Sequence, residues 1–177
     1  MASSKNPVDF MNYFNAYPEQ IKAQVEALIN SGKLARYFEK KYPVAHPFKS
    51  EKALYDYANG LKQQFLKNAP KLDSVKYEKQ KNLVFNALGT HTFKRHAHGK
   101  KLKAQHHIAI ANQLKYAPEE ILKTLVVHEL AHFKEKEHNK SFYNLCCHIQ
   151  PDYFQGELDL RLFMVLCEQA ENFYLTK

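Results

Sequence analysis

Apolar positions follow two different periods along this chain. From Pro18 to Asn30, Ile21, Val25, Leu28 and Ile29 recur at the spacing of one helix face, and Gly32 stands where a stop belongs. A second helix is predicted from about Ser50, with Leu54, Ala58, Leu61 and Phe65 on one side and Asn68 to Pro70 as its end. Tyr42-Pro43 and His46-Pro47 mark a turn-rich connection between the two. The period then shortens. Ser74 to Lys79 and Leu83 to Leu88 read as strands, Gly89 as a break, and His106 to Ala111 as a third strand, with the segment His91 to Gln105 between the last two.

Helical spacing returns at Pro118. Proline suits the first position of a helix, Glu119 and Glu120 suit the positive end of its dipole, and Ile121, Leu122, Leu125, Val126 and Leu130 follow in register. Ser141 to His148 predicts a short helix, Pro151 interrupts it, and Tyr153 to Tyr174 predicts the last long one. Helices, then strands, then helices favour an α+β architecture. The length of 177 residues predicts a single domain, 1–177, with a helical part over 1–70 and the sheet and later helices over 71–177.

Composition narrows the class without naming a chemistry. Apolar residues make up 45% of the chain and charged residues 25%, as in soluble globular proteins. The three cysteines, Cys146, Cys147 and Cys167, form no C-x-x-C, which argues against a zinc ribbon, a thioredoxin-type site or a disulfide framework. The first residues lack the apolar run of a signal peptide, and no run elsewhere approaches the roughly 20 residues that span a bilayer. A cytoplasmic protein without membrane contact is expected.

Charge is unevenly placed. Lys79 to Pro118 holds no Asp or Glu but eight cations, so the whole formal excess of +8 lies in those 40 residues. Five histidines, His91, His96, His98, His106 and His107, share the stretch. Such a field attracts anions: a phosphorylated substrate, an acidic peptide or, weakly, nucleic acid. It also describes a solvated basic loop with no partner. His96 and His98, two apart, offer either a second metal pair or part of that solvated loop.

The chemistry concentrates in the helix opened by Pro118. His128-Glu129-Leu130-Ala131-His132 is an H-E-x-x-H motif. Residues four apart on a helix lie about 40° apart around its axis, so both imidazoles can grip one ion from one side. Zinc suits them, because it accepts imidazole nitrogen at about 2.0–2.1 Å and tolerates an open coordination position. Glu129, rotated about 100° from His128, is placed to act as a general base on water activated by the metal.

His138 gives H-E-x-x-H-x5-H and a third candidate ligand. On an unbroken helix it would point roughly 120° away from His132, so the chain must leave the helix after Phe133 and fold back. The metzincin pattern has the same spacing with a glycine in the middle, where this chain has Glu135. Cys146 and Cys147 read as core residues, and Tyr143 and Tyr153 as packing residues with a lesser claim to oxyanion stabilisation.

VVHELAHFKEKEHNKSFYNLCCHIQPDY, from Val126 to Tyr153, resembles the YgjP-like family of predicted zinc metallohydrolases, as do KALYDYANGLKQQFLKNAP and LGTHT upstream. The resemblance runs from about Tyr13 to Phe163. It implies a zincin-like metallopeptidase fold with a small sheet packed on the H-E-x-x-H helix, zinc ligands at His128, His132 and His138, and a general base at Glu129. Where many members carry a Trp-Gly-Ser-Cys-like segment, this chain reads TFKRHAHGK from Thr92 to Lys100 and has no tryptophan.

The leading expectation is therefore a zinc-dependent metallohydrolase of metallopeptidase type, with Glu129 passing a proton from water to the leaving amine. An alternative is a metal-dependent nucleoside triphosphate pyrophosphohydrolase, for example on UTP, with Lys94, Arg95, Lys100, Lys101 and Lys103 as substrate-binding residues that neutralise polyphosphate. A second alternative is a non-enzymatic, basic nucleic-acid-binding module with a structural metal.

Overall fold

In the computed structural model, residues 10–79, 89–98, 101–170 and 173–174 are described, with side chains outside 80–104. A 3-10 turn, Met11–Phe14, leads into helix α1, Glu19–Asn30, which stops before Gly32, where a φ of 67° suits glycine. Helix α2, Leu34–Lys41, has no counterpart in the sequence reading. Its eight residues place only Leu34 and Phe38 in the core, too few to declare a period. Helix α3, Glu51–Phe65, begins where the side chain of Ser50 accepts from Ala53 N at 3.1 Å.

Strand β1, Ser74–Glu78, pairs in parallel with β3, Lys101–Ala111, and β3 pairs antiparallel with β2, Gly89–His98, in the order β1-β3-β2. Two expectations change here. Of the basic segment 91–105, residues 91–98 and 101–105 pair as the arms of a hairpin and not as a separate connection, and the third strand reaches back to Lys101. Gly89 opens β2 opposite Ile110 instead of breaking a strand. The segment carries no apolar alternation to reveal it, because ladder hydrogen bonds come from the backbone and need no particular side chain. The expected strand Leu83 to Leu88 lies outside the described residues.

A second 3-10 turn, Asn112–Tyr116, delivers the chain to helix α4, Glu119–Ala131, with Pro118 one position earlier than expected, at the cap. Helix α5, Lys140–Ile149, and helix α6, Tyr153–Gln169, complete the α+β fold. The last helix is shorter than the predicted Tyr153 to Tyr174.

Helix α4 lies at the centre. It packs on β2 and β3 on one side and on α3, α5 and α6 elsewhere. Nine of its thirteen residues are buried, Glu129 among them. A helix enclosed on all sides gives its side chains fixed surroundings, which suits a site that must be held rigid. Helix α6 is tied to α2 by Asp159, wholly buried, whose carboxylate accepts from Tyr37 at 2.7 Å, Tyr42 at 2.6 Å and Lys41 at 2.6 Å. Those donors replace the water the carboxylate gave up.

Candidate metal centre

Helix α4 ends at Ala131, and His132 caps it with α-type angles. The chain turns at once. Lys134 N and Glu135 N both reach Ala131 O at 3.0 Å, satisfying a carbonyl at the helix end. Glu135, where the metzincin pattern has glycine, presents its own carbonyl to His132 Nδ1 at 2.9 Å. The return is fixed by Asn139, whose side chain accepts from Phe142 N at 2.9 Å and caps α5. His138 precedes that cap directly and is thereby brought back over the helix end.

Three imidazoles then meet. His138 Nε2 lies 3.1 Å from His128 Nε2 and 3.2 Å from His132 Nε2, and the three donor atoms form a candidate metal cluster. Tetrahedral coordination at about 2.0–2.1 Å from each nitrogen puts ligand nitrogens about 3.3 Å apart, so these spacings fit a cation of zinc's size.

Protonation agrees with that fit. A carbonyl only accepts, so His132 Nδ1 carries the hydrogen toward Glu135 O and Nε2 keeps its lone pair. His128 Nδ1 lies 2.8 Å from the hydroxyl of Tyr153, which can receive the corresponding hydrogen and leave Nε2 free for a metal. Burial first, then the neighbouring His132 and His138, pull His128 down to about 3, and burial also lowers His132. Both rings are neutral at pH 7, the form a metal needs.

The supports were not legible beforehand. The ring of Phe142, fully buried, sits 4.9 Å from His128 and 4.8 Å from each of His132 and His138, a common floor for all three. Tyr153, read from sequence as a packing residue, is fully buried, and its hydroxyl also lies 2.8 Å from His128 Nδ1. Burial pushes the Cys146 thiol up to about 12, which makes it a core residue and not a nucleophile. A sequence signal that fixes where the return ends was Asn139, a helix-capping residue that starts a new helix directly after His138.

Glu129 follows His128 in the same helical turn and is 3% exposed. Lys94 and Arg95 lie on β2 opposite Gln105 and Ala104, Lys101 and Lys103 on β3 opposite His98 and His96, and Lys100 outside the described residues. The hairpin thus gathers four of the five expected cations onto neighbouring strands. His106, farther along β3, stacks at 4.6 Å on Phe133 in the turn that leaves α4. No helix among the described residues is long and apolar enough to cross a membrane.

Comparison with known proteins adds two findings. The model of a family described as YgjP-like, metallopeptidase domain, matches residues 46–162, a span that includes all three clustered histidines. A curated protein of Escherichia coli (strain K12), named UTP pyrophosphatase, is 46% identical over 162 residues, covering 92% of this chain and 97% of that protein. No solved structure matches the chain at a significant level.

Proposed function

Because this chain belongs to the YgjP-like family of metallopeptidase-type domains, and is a hydrolase, we propose that it cleaves a nucleoside triphosphate such as UTP, releasing pyrophosphate. The observation that carries the metal-dependent chemistry is the convergence of three imidazole nitrogens at 3.1 and 3.2 Å. The substrate class is supported by the relative that is 46% identical over 92% of the chain and bears the name UTP pyrophosphatase. The cationic hairpin is consistent with it, since β3 adjoins the turn out of α4 and polyphosphate is the anion such charge would neutralise.

His128, His132 and His138 would hold the metal, and zinc is the ion their donor set and spacing favour. Zinc, when bound, supplies Lewis acidity that lowers the pKa of water toward about 7 and stabilises charge building on the phosphoryl oxygens. Glu129 takes a proton from the attacking water. As the water oxygen bonds to the α-phosphorus, the bond from that phosphorus to the oxygen bridging it to the β-phosphate breaks, and Glu129 returns the proton to the leaving pyrophosphate. The hydroxyl of Tyr153 and the carbonyl of Glu135 keep two of the ligand rings turned inward. A cytoplasmic location suits this chemistry and the three free cysteines.

Peptide hydrolysis is the second reading, favoured by the family description and by the H-E-x-x-H helix. One assay separates the two. Zinc-loaded protein and Glu129→Gln are presented with nucleoside triphosphates and with a peptide panel. We expect UMP and pyrophosphate from UTP, with the rate reduced about 10²-fold or more in Glu129→Gln. Peptide cleavage without nucleotide turnover would overturn the substrate, and equal rates for the two proteins would overturn the mechanism.

A further inference from the structure

Two large hydrophobic side chains among the described residues stand exposed, Val44 at 71% and Phe154 at 58%. A single exposed phenylalanine is ordinary on a protein surface and by itself means nothing. Phe154 differs in where it stands. It follows Tyr153, the residue bonded to His128, and its ring stacks on Tyr143 with centroids 5.4 Å apart and planes 27° apart. Tyr143 lies in turn 6.5 Å from the ring of His138, the exposed member of the three clustered histidines. An aromatic ledge therefore runs outward from the metal centre, through half-buried Tyr143 to Phe154.

We infer that Tyr143 and Phe154 form a stacking platform for the base of the nucleotide, with the ribose bridging from this ledge to phosphates at the His128–His132–His138 centre. The inference rests on the nucleotide reading above and goes further by naming the residues that meet the base. Its logic is the order of parts in the substrate. A nucleoside triphosphate carries its reacting phosphates at one end and a flat π-surface at the other, separated by one sugar. The site presents imidazole donors at one end and stacked rings at the other, Tyr143 at 6.5 Å from His138 and Phe154 a further 5.4 Å from Tyr143. Stacking on such rings depends on the π-face and not on the pattern of base edges, so the platform contributes affinity and little base identity.

The test compares UMP with ribose 5-phosphate, which carries a hydroxyl where UMP carries its base, by calorimetric titration of zinc-loaded wild type, Phe154→Ala and Phe154→Tyr, alongside kinetics on UTP and CTP. Phe154 is largely exposed, so its truncation removes little core packing, and circular dichroism checks the fold. We expect UMP to bind wild type roughly tenfold more tightly than ribose 5-phosphate. In Phe154→Ala that advantage should vanish, and KM for UTP and CTP should rise by a similar factor. Phe154→Tyr, which keeps a π-face, should recover most of the difference. Equal binding of UMP and ribose 5-phosphate to wild type, or an advantage that survives Phe154→Ala, overturns the platform while leaving nucleotide hydrolysis in place. A wild type that neither binds nor cleaves nucleotides overturns the nucleotide reading itself, and the platform with it.

Discussion

The Nδ1 edge of His128 meets one hydroxyl. Tyr153 Oη, 2.8 Å from Nδ1, is fully buried, so no water can replace it if it is removed. Tyr153→Phe keeps the ring that fills the core and deletes only that contact. The expected result is a fall in zinc affinity of about 10- to 100-fold, measured by competition with a chromophoric chelator, with the fold retained. An unchanged affinity would mean that packing alone orients His128. The tyrosine was visible in the sequence but its role was not, because a hydrogen bond between residues 25 apart depends on how α6 meets α4.

At the level of elements, the decisive contact is the one between α4 and α6. Gly156 on α6 faces Thr124 and Gln150, and a β-carbon built there would stand 2.8 Å from Gln150 Nε2 and closer still to Thr124 Oγ1. Those two side chains are themselves bonded, Gln150 Nε2 donating to Thr124 Oγ1 at 3.0 Å, so neither is free to swing away. Gly156→Ala should therefore destabilise the protein by about 1–3 kcal/mol, read as a lower denaturation midpoint in urea. A midpoint equal to wild type would show that α6 can shift without cost. The elements themselves were mostly legible. The α4 helix was read within a residue or two, because its apolar residues and acidic first turn agree. Helix α2 and the hairpin were missed, the first for its brevity and the second because its polar strands hide the period of two.

Over the whole molecule, the formal charge of +8 resides in the stretch that supplies β2, β3 and their flanks. The remainder is neutral, so the field is directional. If that field draws in polyphosphate, replacing Lys94, Arg95, Lys101 and Lys103 together with glutamine should raise KM for UTP several-fold, and the difference from wild type should shrink as salt screens it. KM values that coincide at low ionic strength would remove the hairpin from the substrate site. The zincin-like α+β fold puts that hairpin in contact with the central helix that carries His128 and His132.

Sequence alone determined which candidate donor types the chain offers, the helix that carries two of them, the glutamate beside them and the confinement of positive charge. Each of these is local: within one helix the backbone fixes direction, so a spacing of four residues already says which side chains share a face. The tertiary structure decided what happens between elements. The return of His138 depends on the cap by Asn139, the floor beneath the three rings on Phe142 in α5, and the hold on His128 on Tyr153 in α6. No periodicity encodes such contacts, because they arise only when separate elements pack and buried polar atoms must find partners across the gap.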